Sequence, residues 1–438
     1  MAQNNLVTTP RSGSRFDVII IGGGTIGLAA AYYAAARKLK TLLLEQHDQL
    51  ANDRASSAGY SRMFRIMYSE DYSAKLAETA LTLWREIETV SEIKILKSEP
   101  LLFFGHSGVT PEGDLSEMQG VLDTLGAPYQ WYDSGAAISA AFSAFKPVPS
   151  NYVGLVQPNS AVIRTDRSID AFTRLATRKG ATLLTNQKAE VTKISHENYE
   201  VTCPAGIYSA RRLILAPSAW TNEVLKPFRI KLNLTIWEMT VAYFQADVSK
   251  FNYPLWYEFG EEVYAHQLLH PRRSMTQKHL ADPASTASKT QELFYGFPPD
   301  ERPGYIKVSA DFTHTYPPDP SQCRYTPDPK ILSEIGNFLQ RRFKGVNRNA
   351  AFPTTCLYTM SKDYQMILDT LPGYRNVGIF TGDSGRGFKF TPLFGRILVD
   401  LVTNGSTYYD ISAFSINRPK IIKAAPCKCP RIFWWLGR

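Results

Sequence analysis

The chain has 438 residues, of which 44% are hydrophobic and 20% charged, a composition typical of a globular protein. This length exceeds what one compact core usually accommodates, so we expect two domains. The net charge is +9, but the basic residues form short clusters and no long run, which argues against nucleic-acid binding and favours a small anionic substrate.

Residues 16–46 have the pattern of one dinucleotide-binding unit. An apolar strand leads into Gly22-x-Gly24-x-x-Gly27, an Ala-rich helix follows, and a second strand ends on Glu45. Gly22 permits a tight turn, Gly24 lets the backbone approach a pyrophosphate, and Gly27 lets the helix pack closely on the strand.

The helix of this unit opens with Thr25 and Ile26. Its free N–H groups and the positive end of its dipole favour a phosphate. Glu45 stands where a carboxylate accepts hydrogen bonds from an adenosine ribose. An acid at that position favours an unphosphorylated ribose, so we expect FAD or NAD rather than NADP as the cofactor.

Residues 18–36 carry no charge and are about as long as a membrane-spanning helix. Their glycines, with Asp17 and Arg37 at the two ends, fit the nucleotide unit better than a membrane span. A phosphate-binding turn also has no place in a signal peptide. We therefore expect a soluble protein.

The remaining segments alternate helix and strand patterns up to about residue 224. In chain order they are a loop at 51–60, helices at 71–90, 114–125 and 168–178, strands at 98–106, after 180 and at 212–216, and a hairpin at 199–208. From 230 to 350 long β-like segments dominate, at 231–247, 292–297 and 305–311, with loops at 281–290 and 316–329. A strand at 376–381 then enters a Gly-rich turn at 382–387, and a helix at 392–402 follows.

A Gly-rich turn thus joins strand to helix near both ends of the chain, which predicts a discontinuous nucleotide-binding domain. The predicted organisation is a disordered N-terminus at 1–14, a cofactor-binding domain from 15–90, 151–228 and 351–419, a substrate or cap domain from 91–150 and 229–350, and a tail at 420–438.

Several motifs in this order resemble the monomeric sarcosine oxidase family of flavoenzymes over nearly all of residues 15–420. They are Gly22 to Gly27, Ser57-Ala-Gly-Tyr-Ser-Arg-Met-Phe-Arg65, Phe294-Tyr-Gly-Phe-Pro298, Thr355-Cys-Leu-Tyr-Thr359, Ser384-Gly-Arg-Gly-Phe-Lys-Phe390 and Phe414-Ser-Ile-Asn-Arg-Pro419. Within the family, the segments at 237–239 and 388–396 look most similar to nikD-type oxidases of a cyclic imino acid.

The resemblance implies an α/β (α+β) fold of the glutathione reductase type, like that of DAO flavoproteins. A Rossmann-like FAD-binding domain would carry a mixed-sheet substrate domain. It also implies oxidation of a secondary amine or imino acid at its C–N bond, with FAD attached through a cysteine thioether. The reduced cofactor would be reoxidised by oxygen, giving hydrogen peroxide. We expect a monomer that takes a small carboxylated amine and no nucleic acid.

The resemblance implies roles for individual residues. Cys356 corresponds to the flavin-linking cysteine, although a lone Cys on an apolar strand is more often a small buried hydrophobe. Arg65 corresponds to an arginine on the substrate carboxylate, which its planar fork suits. Lys389, between two phenylalanines, corresponds to a second carboxylate anchor. Arg62 corresponds to an arginine beside the flavin ring.

Lys307 matches a lysine over the flavin that promotes electron transfer to oxygen, where a fixed ammonium stabilises developing charge. The strand pattern alone equally allows an outward-facing lysine. Tyr295 matches a substrate-facing tyrosine. Further positions expected along the cofactor are Ser61, Gly385, Gly387, Phe388 and Lys389.

The chain departs from the family pattern at three positions. Ala58 and Arg386 replace histidines, and Asp311 occupies the position of an active-site histidine. An acid beside the substrate does not suit sarcosine, whereas nikD-type members are similar in having one. The segment 266–290 is longer than the family norm and is expected to form a lid or access loop. We therefore expect a substrate other than sarcosine.

Two alternatives remain open. The opening motif also fits a non-covalent flavin monooxygenase or a dehydrogenase, and the three departures leave room for a catalytically silent flavin-binding sensor or scaffold. The presence of Arg65, Lys307, Cys356 and Lys389 together favours the oxidase.

Five cysteines are scattered without the spacing of a disulfide framework, which indicates a reducing compartment and, we expect, the cytoplasm. We expect no metal site. His266 and His270 lack the intervening acid of a zinc-protease motif, and Cys427-x-Cys429 lacks a second pair. The basic, aromatic tail at 420–438 is expected to be disordered or packed rather than membrane-bound.

Overall fold

The computed structural model describes residues 9–106, 109–110, 113–195, 198–259 and 293–423. The strands within this part of the chain are β1 Arg15–Ile21, β2 Thr41–Leu44, β3 Ser61–Phe64, β4 Leu96–Ser98, β5 Leu101–His106, β6 Val109–Thr110, β7 Gly113–Asp114, β8 Gln130–Tyr132, β9 Tyr152–Gln157, β10 Ala161–Arg164, β11 Thr182–Leu184, β12 Glu190–Ser195, β13 Asn198–Cys203, β14 Gly206–Leu215, β15 Leu234–Ala246, β16 Leu255–Phe259, β17 Leu293–Phe297, β18 Tyr305–Ala310, β19 Val346–Ala350, β20 Thr354–Ser361, β21 Ile367–Leu371 and β22 Tyr374–Thr381. The helices are α1 Thr25–Ala36, α2 Asp71–Ser91, α3 Leu115–Leu125, α4 Gly135–Ala141, α5 Thr165–Arg178, α6 Thr221–Val224, α7 Pro329–Arg342 and α8 Thr391–Asn404.

The first sheet is built around β1, which pairs in parallel with β2 on one side and with β14 on the other. Strands β22 and β21 continue the sheet beyond β14, and β13 and β12 form an antiparallel extension from the same strand. Val18 and Ile20 pack in one core, while Ile19 and Ile21 pack in a second, as the two-residue period of a strand dictates. The apolar run of β1 is therefore buried on both faces.

Helix α1 packs against α5 and α8. Small residues allow the close approach of α1 and α8, because a Cβ added at Gly395 would lie 2.5 Å from the Cβ of Ala29. This contact holds the N-terminus of α1 beside the start of α8. The two Gly-rich turns that precede these helices are thereby brought to one region of the molecule.

The second sheet has the strand order β19-β15-β18-β17-β16-β5-β9-β8, and β20 also pairs with β15. Because β15 is antiparallel to both β18 and β20, it sets Lys307 of β18 opposite Tyr243 and Cys356 of β20 opposite Met239. The short sheet β3-β10-β4 carries Ser61 and Arg62. These pairings determine which side chains meet at the candidate site.

The predicted α/β fold with a dinucleotide-binding unit is confirmed, and the second strand of that unit, β2, directly precedes Glu45 as expected. Helix α7 was not predicted, because it lies in a block that has mostly β-like patterns. It begins with an Asp328-Pro329 cap, in which the Asp328 carboxylate accepts a hydrogen bond of 2.8 Å from the N–H of Lys330.

Strand pairing bears on two of the predicted domain boundaries. The boundaries predicted at 151 and 351 place β9 and β20 in the cofactor-binding domain, whereas β9 lies between β5 and β8, and β20 lies beside β15. Their backbone hydrogen bonds belong to the second sheet. The division into domains stays a prediction, because the sheet that a strand joins does not by itself define a domain.

Within the segment 1–14, which was predicted to be disordered, residues 10–14 are hydrogen-bonded to another part of the chain. The N–H of Gly13 donates to the carbonyl of Ile207 at 2.7 Å, and the hydroxyl of Tyr208 donates to the carbonyl of Pro10 at 3.0 Å. These bonds fix residues 10–14 against the β13–β14 hairpin, whereas residues 1–8 lie outside the described residues.

Several other expectations fall outside the described part of the chain. They concern the predicted lid at 266–290, the spacing of His266 and His270, and residues 424–438 of the tail with Cys427 and Cys429. Among the described residues, no helix combines the length and the apolar character needed to cross a membrane.

Candidate active site

The first Gly-rich turn has no room for side chains at two of its glycines. Gly22 has a φ of +110°, and a Cβ added there would lie 2.3 Å from the carbonyl oxygen of Ala216. A Cβ at Gly27 would lie 1.9 Å from the carbonyl oxygen of Gly22. At Gly24 the nearest atom would be the hydroxyl oxygen of Ser57 at 3.3 Å. The turn is therefore closely packed at Gly22 and Gly27, whereas Gly24 leaves more space beside the backbone.

A cavity of about 570 Å³ lies in front of this turn. Its walls include Gly22, Gly24, Thr25, Ile26 and Glu45 from the nucleotide unit, together with Gly387 and Phe388 from the late Gly-rich turn. Its volume falls within the roughly 300–1,000 Å³ typical of small-molecule and cofactor sites. Gly27 does not line the cavity and instead packs against the backbone of Gly22.

Two polar groups of this cavity are held in fixed positions. The buried carboxylate of Glu45 accepts hydrogen bonds from the N–H groups of Gly23 at 2.7 Å and His47 at 2.9 Å. At the start of α1, the N–H of Thr25 donates to the hydroxyl of Ser57 at 3.1 Å. A glycine cradle, a helix N-terminus and a buried acid in one cavity fit the pyrophosphate and ribose of a dinucleotide. The residues present therefore fit FAD.

A second cavity, of about 110 Å³, adjoins the first. The two share Ser56, Asp383, Gly387 and Phe388 as lining residues. The second cavity brings together all of the predicted catalytic residues, which are Arg62, Arg65, Tyr295, Lys307, Asp311 and Lys389, and with them the predicted cofactor contacts Ser61, Cys356 and Gly385.

Lys307 is buried and points into the protein, which decides the question that the strand pattern leaves open. Its ammonium donates hydrogen bonds to the carbonyl oxygen of Ser61 at 2.9 Å and to the hydroxyl of the same residue at 3.0 Å. It also lies 4.6 Å from the ring centroid of Phe297. Burial lowers the pKa of Lys307 to about 7, and the positive charge of Arg62 acts in the same direction.

Arg62 fastens the loop before β3 to the late Gly-rich turn. Its guanidinium donates to the carbonyl oxygens of Ser56 and Ser61, both at 2.9 Å, and to that of Ala58. The same group lies 5.4 Å from the ring centroid of Phe388. The side chain is half-buried, so its charge acts on the neighbouring cavity with little screening.

Two further cations border the second cavity. Arg65 is buried, with its guanidinium carbon 4.2 Å from the ring centroid of Tyr68 and 4.8 Å from that of Phe103. Lys389 is also buried and donates a long hydrogen bond of 3.4 Å to the carbonyl of Arg386. A cavity bordered by Arg65 and Lys389 favours an anionic group such as a carboxylate.

Aromatic residues and one acid form another part of the wall. The hydroxyl of Tyr257 donates to the carboxylate of Asp311 at 2.7 Å, and the rings of Tyr257 and Tyr295 are nearly parallel with centroids 5.9 Å apart. The hydroxyls of Tyr295 and Tyr358 are 3.1 Å apart. Burial, with the charge of Asp311 acting in the same direction, raises the pKa of Tyr295 to about 12. Tyr295 is therefore a neutral phenol at neutral pH.

Cys356 is buried on β20 and lines the same cavity as Lys307. Burial raises the pKa of its thiol, and the charges of Arg62 and Lys307 oppose this shift. The late turn packs directly on β20, because Gly385 has a φ of +72° and a Cβ there would lie 2.7 Å from the ring of Tyr358. The Cys356 side chain thus lines the second cavity and lies on the strand against which the late turn packs.

Among the residues of the second cavity that sequence reasoning did not single out are Tyr257, Tyr358 and Asp383. A signal for Tyr358 was available, since it lies two residues after Cys356 and so shares its face of the strand. Tyr257 lies in β16, a run of buried residues without alternation that gives no sign of which side chain faces a cavity.

Comparison with known proteins agrees with this geometry. This chain is 28% identical over 413 residues to monomeric sarcosine oxidase of Bacillus sp. (strain NS-129), which covers 94% of this chain and 99% of that protein. It is 30% identical over 416 residues to a probable sarcosine oxidase of Arabidopsis thaliana, covering 92% of both.

Among solved structures, NikD, an unusual amino acid oxidase essential for nikkomycin biosynthesis, superposes with a TM-score of 0.79 and 28% identity, covering 92% of this chain and 97% of that one. The resemblance inferred from the motifs is confirmed. Residues 17–401 match the family described as FAD dependent oxidoreductase, DAO. Because this match spans most of the chain, the protein belongs to the DAO family of FAD dependent oxidoreductases.

Proposed function

We propose that the protein is an oxidase of a carboxylated secondary amine or imino acid, which converts the C–N single bond to an imine and releases hydrogen peroxide. The observation that supports this most strongly is the second cavity, where Arg65, Lys307, Cys356 and Lys389 lie together beside the nucleotide cavity. Together they would meet three requirements of such a reaction: substrate binding by Arg65 and Lys389, oxygen reduction by Lys307 and cofactor attachment by Cys356.

The residues that would hold FAD belong to both cavities. The turn at Gly22–Gly27 and Glu45 suit its adenosine diphosphate portion, while Arg62, Cys356 and the late turn at 385–388 suit its ring system. When bound, FAD supplies the hydride-accepting and oxygen-reactive chemistry that amino-acid side chains lack.

The substrate carboxylate binds between Arg65 and Lys389. The guanidinium of Arg65 can donate to both carboxylate oxygens, and the ammonium of Lys389 adds a second positive charge. Both side chains are buried, so each attraction is stronger than it would be in water. Fixing the carboxylate in this way fixes the position of the adjacent α-carbon and nitrogen.

The electrons and protons of the reaction balance. The substrate loses a hydride from the α-carbon and a proton from the nitrogen, and oxygen takes up two electrons and two protons. The ammonium of Lys307 stabilises the negative charge that develops on oxygen as it is reduced. Because burial lowers the pKa of Lys307 to about 7, its ammonium form is favoured below neutral pH and lost above it.

A cyclic imino acid suits the cavity better than sarcosine does. Asp311 places a carboxylate in the same cavity as the cations Arg65 and Lys389. Its partner Tyr257 and the parallel ring of Tyr295 form a flat wall that suits a planar or cyclic body. The similarity to NikD, an unusual amino acid oxidase, supports an amino acid as the broader substrate class.

A panel of amines tests the substrate class. Peroxide release is measured with cyclic imino acids and N-methyl amino acids, each beside its methyl ester. The proposal predicts release with the free acids and a loss of activity with the esters, because an ester is not attracted by Arg65 and Lys389. Equal rates for acids and esters, or no release with any amine, would contradict it.

We also propose a thioether between Cys356 and FAD, supported by the position of this thiol on the second cavity. After acid precipitation, colour should stay with the wild-type pellet and pass to the supernatant in Cys356→Ser. Cys323→Ser is the matched control, since Cys323 is half-buried and does not line either cavity. Release of flavin from the wild-type protein would refute the covalent bond.

We further propose that the protein acts as a monomer, since the described residues of one chain line both cavities. Light scattering during size-exclusion chromatography measures the mass directly. A mass near twice the 49.2 kDa of one chain would contradict this proposal.

A further inference from the structure

A line of hydrogen bonds leads from the buried ammonium of Lys307 toward the surface. Lys307 donates to the hydroxyl oxygen of Ser61 at 3.0 Å, and that hydroxyl donates to the carboxylate of Glu301 at 3.2 Å. The same carboxylate oxygen accepts a hydrogen bond of 2.6 Å from the hydroxyl of Tyr243. Hydrogen bonds thus connect Lys307 to Ser61 and Ser61 to Glu301.

The two ends of this line differ in their access to solvent. Lys307 and Ser61 are buried, whereas Glu301 is only half-buried and lies in the turn between β17 and β18. Tyr243 fixes the carboxylate from the side of β15, and the guanidinium of Arg302 lies 5.0 Å from the ring centroid of Tyr243. The Glu301 carboxylate is therefore fixed in position at the solvent-facing end of this line of hydrogen bonds, and Lys307 lies at the buried end.

We propose that Ser61 and Glu301 form the proton path that recharges Lys307 between turnovers. This inference rests on the proposed oxidase function. Lys307 gives one proton to the reduced oxygen and becomes a neutral amine. The Glu301 carboxylate takes up a proton from solvent and passes it to the Ser61 hydroxyl as that hydroxyl gives its own proton to the amine, which leaves Glu301 a carboxylate again. The second proton of hydrogen peroxide derives from the hydrogen that leaves the substrate α-carbon as hydride, and the proton that the substrate nitrogen loses goes to solvent, so solvent gives and receives one proton in each turnover.

The charges around Lys307 suit repeated gain and loss of a proton. Arg62 on β3 lowers the pKa of Lys307, whereas Glu301 in the turn and Cys356 on β20 raise it. Burial is the largest influence and brings the pKa to about 7. Both forms of Lys307 are therefore accessible near neutral pH, and a carboxylate at Glu301 favours the charged form.

Variants separate the path from a merely structural contact. Glu301→Gln keeps the shape and hydrogen-bonding capacity of the side chain but carries no charge. Ser61→Ala removes the linking hydroxyl and leaves the carboxylate in place. Asp300→Asn is the matched control, because Asp300 is the neighbouring acid but pairs with Arg164 and Lys97.

The first readout requires no turnover. The amine of Lys307 is labelled with acetic anhydride over a range of pH in the purified protein, and its peptide is quantified by mass spectrometry. Glu301→Gln should move the labelling midpoint about one pH unit lower, and Asp300→Asn should leave it unchanged. A midpoint that does not move in Glu301→Gln would overturn the inference, whatever the activity of the protein.

The second readout is the oxygen reaction. Stopped-flow reoxidation of the substrate-reduced holoenzyme should slow by about tenfold or more in Ser61→Ala and in Glu301→Gln, as expected when proton transfer is impaired. Anaerobic reduction by substrate should stay fast in both variants. Wild-type reoxidation rates in both would overturn the path. Failure of the wild-type protein to be reduced by any amine would instead contradict the proposed function, and the labelling midpoint would still test the inference.

Discussion

The hydroxyl of Tyr257 donates a hydrogen bond of 2.7 Å to the carboxylate of Asp311, while the ring of Tyr257 lies nearly parallel to that of Tyr295. One side chain thus orients an acid and also forms part of an aromatic wall. Asp311 and both tyrosines line the cavity that contains Arg65 and Lys389. This arrangement makes Tyr257 a positioning residue for Asp311.

Removing this hydroxyl should weaken substrate binding. In Tyr257→Phe the ring remains, but the Asp311 carboxylate loses this donor, and a hydrogen bond to a charged group contributes about 1.5 kcal/mol or more. We expect KM for the best amine to rise about tenfold with a smaller change in kcat. Tyr253→Phe, whose hydroxyl donates to the carbonyl of Lys344 at 2.9 Å, is the control. Equal KM values in the two variants would count against this role.

The planar fork of Arg65 should matter beyond its charge. Arg65→Lys keeps the positive charge but cannot donate to both carboxylate oxygens at once, so KM should rise about tenfold or more. The methyl ester of the same substrate should be little affected. Arg65 packs against Tyr68 and Phe103, so the thermal midpoint is measured to confirm the fold. An unchanged KM for the free acid would contradict carboxylate binding at Arg65.

Replacement of Lys307 should separate the two halves of the catalytic cycle. Lys307→Met should keep fast anaerobic reduction by substrate but lose about a hundredfold or more in the rate of reoxidation by oxygen. Because the pKa of Lys307 is lowered to about 7, the wild-type oxygen reaction should slow as pH rises through that region. The Met variant should lack this dependence. Equal oxygen rates in the two proteins would exclude the role.

The close contact behind the first turn makes a stability prediction. A Cβ at Gly27 would lie 1.9 Å from the carbonyl oxygen of Gly22, so Gly27→Ala should displace α1 and impair both FAD binding and thermal stability. Gly120→Ala is the control, because a Cβ at this position in α3 meets nothing within 4 Å. That substitution should be neutral or stabilise by about 0.4–1 kcal/mol. Full FAD content in Gly27→Ala would refute the prediction.

The nucleotide unit could be predicted almost to the residue because its constraints are local. A buried parallel strand, a turn that only glycine can form and a helix beginning at Thr25 each leave their own pattern within a few residues. The motif resemblance then located the residues of the second cavity, since Arg65, Lys307 and Cys356 each lie inside or beside a short recognisable segment.

The relationships between distant segments could not be predicted in this way. Glu301 contacts Ser61 only because β18 and β3 are brought together by the fold, and 240 residues separate the two in sequence. Tyr257 faces the cavity because β16 pairs with β5 in parallel and with β17 in antiparallel orientation. All five residues of β16 are buried, so alternation of exposed and buried positions carries no information about its orientation.

Mixing the purified yellow protein with carboxylated cyclic and N-methylated amines in the absence of oxygen is the sharpest test of the proposed oxidase function. We expect at least one free acid to bleach the visible absorbance, and air to restore the colour with release of one hydrogen peroxide for each imine formed. Colour that no amine bleaches, or that only a reduced nicotinamide bleaches, would contradict the oxidase and favour a monooxygenase or dehydrogenase.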